Sequence, residues 1–238
     1  MNKRRIQILS TGEVNNDVID LAVHSSIDMD VIPFIRTEAL KTDLIKEQIE
    51  KLSSERCNVI FTSANAVRAV GSMASLISGW KIYCLQNSTL QEVRRVFGDV
   101  QVAGTSSDAK GLAHILIKER PEGKMVFFCG DMRREELPRL LRENEFVLVE
   151  KIVYKTVLIP EKLNKKYDGI IFYSPSAVKS FLSLNKFTIN AIVFALGEST
   201  AQELKKSHGL RIVVSEEPSK MKLIQELITF FNNSNSRE

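Results

Sequence analysis

Four short polar stretches hold most of the groups in this chain that could do chemistry: Thr62-Ser63-Ala64-Asn65, Gln86-Asn87-Ser88-Thr89, Tyr173-Ser174-Pro175-Ser176 and Gly197-Glu198-Ser199-Thr200. Each follows a short apolar run and precedes residues with helical periodicity. Ser, Thr and Asn at such junctions accept from the free N–H groups of a first helical turn, and Pro175 suits that turn. Capping alone accounts for any one of these loops. Four together also present hydroxyls and helix N-termini to carboxylates or phosphates. Tyr154, in Val153-Tyr154-Lys155-Thr156, adds a phenol. A ring with a polar tip suits a half-buried packing position, and in a water-poor site its hydroxyl can donate a proton.

Other chemistries lack their residues. Ser63 and Ser174 stand outside any G-x-S-x-G context, with no His or Asp placed beside them. No Walker A motif and no G-x-G-x-x-G follows a strand, which excludes the common nucleotide sites. Cys57, Cys84 and Cys129 are odd in number and lie in or beside apolar runs, the pattern of buried thiols rather than a disulfide framework. His24, His114 and His208 lack ligand spacing with each other or with any cysteine, so no metal site is expected. Glu135 and Glu136 adjoin Arg133 and Arg134 and read as a solvated charged face. The net charge is +4 with Lys and Arg scattered, which argues against nucleic acid and suits a small polyanion. Met1–Arg5 followed by Ile6–Leu9 imitates the start of a signal peptide, but Ser10-Thr11-Gly12-Glu13 interrupts it. No run reaches the ~18–20 apolar residues of a bilayer span. A cytoplasmic protein with no membrane partner is expected.

The elements that must position these loops repeat. Asn58–Val70 (NVIFTSANAVRAV) matches Gly169–Phe181 (GIIFYSPSAVKSF), and Ser88–Val93 (STLQEV) matches Ser199–Leu204 (STAQEL). Both pairs are offset by 111 positions, Phe61 to Phe172 and Ser88 to Ser199. A constant offset implies two copies of one unit, and facing lobes create a cleft that suits a small ligand. A fainter pair, Ile8–Glu13 and Val126–Asp131, extends the order to A–B–A′–B′. Strands are expected at Ile6–Leu9, Asp30–Phe34, Val59–Thr62, Ile82–Leu85, Val100–Val102, Met125–Phe128, Val147–Val153, Ile170–Tyr173, Ala191–Leu196 and Arg211–Val214. Helices between them include Asp43–Leu52, Leu112–Arg120, Glu135–Glu143, Ala177–Leu184 and Ser199–Lys206. Such alternation predicts an α/β protein with parallel sheets. Ten strands divide into two five-stranded sheets of flavodoxin-like size, with helices on both faces. Hinges fall near Pro33–Thr37 and Tyr154–Pro160, and the polar tail Asn232–Glu238 reads as disordered. The residues leave open whether A folds with B or with B′.

The chain resembles the uroporphyrinogen-III synthase family. The resemblance rests on Val59-Ile60-Phe61-Thr62-Ser63-Ala64-Asn65-Ala66-Val67, Val153-Tyr154-Lys155-Thr156, Ile171-Phe172-Tyr173-Ser174-Pro175-Ser176-Ala177-Val178 and Ala195-Leu196-Gly197-Glu198-Ser199-Thr200-Ala201, with the late Glu216-Glu217-Pro218-Ser219. It implies two flavodoxin-like lobes, residues 1–34 with 158–238 and residues 37–153, joined by extended linkers near 33–37 and 153–157. It implies cyclisation of the linear tetrapyrrole hydroxymethylbilane to uroporphyrinogen III, with ring D inverted and water lost. No cofactor is implied, and the protein is expected to act as a monomer. Tyr154 matches the family's linker tyrosine and is assigned to departure of the substrate hydroxyl. Thr62, Ser63, Asn65, Ser174, Ser176, Gly197, Ser199 and Thr200 match loops that hold substrate. Two departures stand out. Ser10-Thr11-Gly12-Glu13 replaces the usual Thr-Arg-Pro, and Gln86–Leu90 lacks the glycine that Gly197–Ala201 retains. The tighter substrate contacts are therefore expected along Ser174–Thr200. The alternatives are a non-catalytic two-lobed protein closing on a small anion, and a regulatory protein that kept the fold without the chemistry.

Overall fold

The computed structural model describes residues 4–74, 77, 79–98, 102–217 and 219–235. The chain divides into two compact units, Met1–Arg36 with Val157–Glu238, and Thr37–Thr156.

Unit 1 is built on the strands β1 (Ile6–Ser10), β2 (Ile27–Val31), β9 (Gly169–Phe172), β10 (Ile192–Ala195) and β11 (Arg211–Val214). They lie in the order β11-β10-β9-β1-β2, every neighbour parallel. Side chains alternate across this sheet, so successive residues serve opposite cores. Ile8, Ile171 and Phe194 pack with Val18 and Ala22 of α1 (Asn16–His24) and with Leu223, Ile224 and Leu227 of α9 (Lys220–Asn235). Leu9, Phe172, Val193 and Ala195 pack on the other face against α7 (Pro175–Leu184) and α8 (Glu198–Leu204). Segment A thus shares its sheet with B′ through the β1–β9 ladder.

Unit 2 repeats the plan with β4 (Cys57–Phe61), β5 (Trp80–Leu85), β6 (Val102–Ser106), β7 (Lys124–Gly130) and β8 (Leu148–Leu158). The helices α2 (Asp43–Ser53), α3 (Ala64–Gly71) and α4 (Ser88–Phe97) cover one face, and α5 (Ala109–Glu119) and α6 (Glu136–Glu143) the other. All five residues of β4 are buried, as expected of a central parallel strand covered on both sides.

Three expectations need correction. This sheet has six strands among the described residues, in the order β3-β8-β7-β4-β5-β6, rather than five. The sixth, β3 (Ile35–Ala39), comes from the segment expected as a linker. Leu40 N–H donates to the Val153 carbonyl and Ile159 N–H to the Phe34 carbonyl, each at 2.9–3.0 Å. Rising numbers on one segment meet falling numbers on the other, so the two pair antiparallel. Ile35-Arg36-Thr37-Glu38-Ala39 lacks an apolar run because an edge strand buries little. The strand expected at Asp30–Phe34 lies instead at Ile27–Val31, where apolar residues alternate with Asp28 and Asp30. Those carboxylates meet Arg5 at 2.6 Å and Lys165 at 2.7 Å, so polarity there marks ion pairing rather than a loop. The tail expected to be disordered begins inside α9, which runs to Asn235; residues 236–238 lie outside the described residues. So do residues 100 and 101 of the strand expected at Val100–Val102.

Candidate functional site

In each unit the chain moves outward from two adjacent central strands in opposite directions, from β1 and β9 in unit 1 and from β7 and β4 in unit 2. Ligands of open α/β sheets gather at the carboxyl ends of strands beside such a reversal. The candidate residues fall there.

In unit 2, Ser63 precedes α3 in extended backbone and accepts from the Asn65 N–H at 3.1 Å. Its Oγ also accepts from the Tyr154 hydroxyl at 3.2 Å. Both bonds use lone pairs, so the Ser63 hydrogen stays available as a donor. Tyr154 reaches across β7 from β8, its ring seated on Gly130. A Cβ at Gly130 would fall within the van der Waals shell of that ring, so the glycine answers a close approach. Burial raises the phenol pKa and the Ser63 bond partly opposes the rise, which keeps the proton in place at neutral pH. Thr62 lies beside them, half-buried. The Asn65 Oδ1 accepts from Arg68, whose guanidinium also lies 3.6 Å from Glu92. Arg68 escaped the sequence reading, although its position three residues after Asn65 places both on one helix face.

In unit 1, Ser174 accepts from the Ala177 N–H at 3.2 Å and lies 3.0 Å from the Ser176 hydroxyl. Ser176 and Thr200 are buried, 7% and 2% exposed. Gly197 is extended (φ −173°) and a Cβ there would meet nothing within 4 Å. Neither dihedral nor crowding demands glycine, which leaves the main chain open beside half-buried Ser199. In the first copy Gln86 stands at the glycine's place, and the next residue, Asn87, carries φ +60°, a conformation costly for a side chain other than glycine. A second phenol lies here. Tyr173 bonds Ser10 at 3.0 Å, and Ser10 donates its only hydrogen to the Gly12 carbonyl at 2.7 Å. Tyr173 is therefore the donor to Ser10, and burial lifts its pKa to about 12.

The remaining groups are structural. Glu135 belongs to a network with Arg133, Arg142 and Glu150, and the Arg142 hydrogen bond leads the causes that lower its pKa. Cys57, Cys84 and Cys129 are buried, and burial lifts each thiol to about 11. Among the described residues, no cluster of three or more His, Cys, Asp or Glu is placed to hold a metal, and no helix is long and apolar enough to cross a membrane.

Largely parallel sheets covered by helices, with hydroxyls and a buried phenol at the strand ends, define an α/β class of protein. The family model described as uroporphyrinogen-III synthase HemD matches residues 21–225. The chain belongs to the uroporphyrinogen-III synthase family, an enzyme family of heme biosynthesis acting on a tetrapyrrole. The fold is similar to that of uroporphyrinogen-III synthetase from Helicobacter pylori, at 16% identity and TM-score 0.68, covering 94% of this chain and 99% of that one. It is also similar to a mutant uroporphyrinogen III synthase from the extremely thermophilic bacterium Thermus thermophilus, at 14% identity and TM-score 0.64, covering 98% and 100%.

Proposed function

We propose that the protein is a cyclising hydro-lyase that converts hydroxymethylbilane to uroporphyrinogen III, with Tyr154 as the proton source. The observation that carries this reading is the Tyr154–Ser63 hydroxyl chain, which ends on a donor hydrogen at the carboxyl end of β4. The substrate's terminal hydroxyl leaves as water once it receives a proton, and the ring A methylene is left as a cationic azafulvene. Ring D attacks it through its substituted carbon and forms a spiro intermediate. Reopening, reclosure at the other side of ring D and loss of one proton give the inverted ring and balance the proton first supplied. A general acid contributes about 10²–10⁴-fold to such a step. The larger task is to hold a flexible chain in the spiro-forming geometry, an orientation effect. Ser63, Ser174, Ser199 and the α3 and α7 N-termini suit the substrate's carboxylates. Thr62, Asn65 and Gly197 line the same strand ends; buried Ser176 and Thr200 would act through their loops.

The test supplies purified protein with freshly generated hydroxymethylbilane, oxidises the products and resolves the isomers. Type III porphyrin in excess over the type I isomer of spontaneous closure is expected. Type I alone overturns the reading in favour of a non-catalytic binding protein.

A further inference from the structure

Unit 1 holds a cation that the proposed reaction has not used. Lys220 opens α9, and its Nζ lies 4.8 Å from the centroid of the Tyr173 ring. It donates to the Glu13 carbonyl. Among the described residues its partners are thus a ring face and a main-chain carbonyl, neither formally charged. Two residues on, Lys222 pairs with Glu216 at 3.3 Å, so that carboxylate is committed to another lysine. An ammonium has three donors, and one is spent on Glu13. The ring beneath it is fixed: Tyr173 is tied through Ser10 to Gly12, and a Cβ at Gly12 would come within 2.8 Å of the ring. The surroundings take enough water from the ammonium to lower its pKa, with the Glu13 charge in partial opposition, while the residue as a whole remains exposed.

We propose that Lys220, seated on the Tyr173 ring at the carboxyl ends of β1 and β9, is a carboxylate-binding site for one acidic arm of the substrate. Its two unspent N–H donors grip the carboxylate, and the ring shields its other side from water. Cation–π support of this kind orients the ammonium without neutralising it. The assignment rests on the tetrapyrrole reading above and adds a binding residue to it.

Two measurements test it. In steady-state turnover of hydroxymethylbilane, Lys220→Met is expected to raise KM about tenfold with kcat within about twofold, and Lys220→Arg to recover most of the loss, the scale of one charge-assisted hydrogen bond. On unmodified protein, limiting acetic anhydride should acetylate Lys220, and uroporphyrinogen III, which carries eight carboxylates, should slow that reaction at least threefold while Lys222 is unaffected. An unchanged KM in Lys220→Met, or acetylation of Lys220 that uroporphyrinogen III does not slow, overturns the site while type III production by the wild-type protein stands. Wild-type protein that yields only type I porphyrin overturns the enzyme reading instead. The acetylation arm then decides by itself whether Lys220 takes a carboxylate.

Discussion

Each unit seats a tyrosine on a glycine at the carboxyl end of its sheet, and the two arrangements differ in where the proton can go. Gly12 and Gly130 occupy equivalent places in the fainter repeat, Ile8–Glu13 and Val126–Asp131. Their tyrosines come from opposite sides. Tyr154 reaches Gly130 from β8, and Tyr173 reaches Gly12 from the end of β9, at the position of Thr62 in the other copy. Tyr154 donates to Ser63, whose own hydrogen is unspent. Tyr173 donates to Ser10, whose hydrogen ends on the Gly12 carbonyl. One chain is open to a ligand and the other closes on the backbone. Similar local chemistry thus leaves a donor hydrogen unspent in unit 2 and a hydrogen bond closed on the backbone in unit 1. The charges diverge likewise. Arg68 and Glu92 approach across α3 and α4, whereas Glu203, the repeat equivalent of Glu92, pairs with Lys206 in the turn that follows its helix.

The largest expected effect breaks this contrast if it fails. Tyr154→Phe should slow type III formation by about 10²-fold or more, the lower range for a lost general acid, while Tyr173→Phe leaves kcat within about twofold. Equal losses in the two variants would mean that the open and closed chains are not functionally distinct. Next, Gly130→Ala crowds the Tyr154 ring at a cost of about 1–3 kcal/mol; thermal unfolding should show it, with kcat falling about tenfold. Gly12→Ala should cost similar stability but act on KM, because it displaces the platform under Lys220. Ser63→Ala and Ser174→Ala each remove a helix cap worth about 1 kcal/mol, and only the first should also lower kcat. Parallel losses of kcat would remove Ser63 from the proton chain.

The smallest effect concerns Glu92, 12% exposed, whose pKa is lowered first by its hydrogen bond to Arg95, against desolvation, and further by Arg68. A carboxylate with a depressed folded pKa adds stability above its unfolded value, about 4.3, and loses it as pH falls through the folded pKa. Glu92→Gln should therefore cost on the order of 1 kcal/mol at pH 7, with the difference closing below about pH 4. A difference that persists in acid would show that the charge is not what matters.

Local patterns made much of this molecule legible. Strand–helix alternation places β4, β5, β7, β9, β10 and β11 within a few residues of their expected positions, because buried parallel strands need apolar runs whatever their neighbours. Ser63 and Ser174 cap the helices that their loops announce. The edge strand β3 was not legible, since burying little leaves no hydrophobic signature, and β2 was displaced because its aspartates are satisfied by distant partners. Arg68 was within reach through its spacing from Asn65. Tyr173 reads as part of a polar loop, but nothing near it in the chain announces Ser10, 163 residues away, or Lys220.

By itself the sequence determined an α/β protein built from two copies of one unit, the hydroxyl-rich loops at their strand ends, and the family resemblance carried by those loops. These depend on helical and strand periodicity, on capping and on a constant offset, all of which operate within a few residues or by direct comparison of residues. The tertiary structure alone decided that β1 lies beside β9, that Tyr154 rests on Gly130 and donates to Ser63, and that Lys220 comes to the ring of Tyr173. Such contacts join positions that are far apart in the chain. They form only when the ladders and cores of a whole unit assemble, so no local preference encodes them.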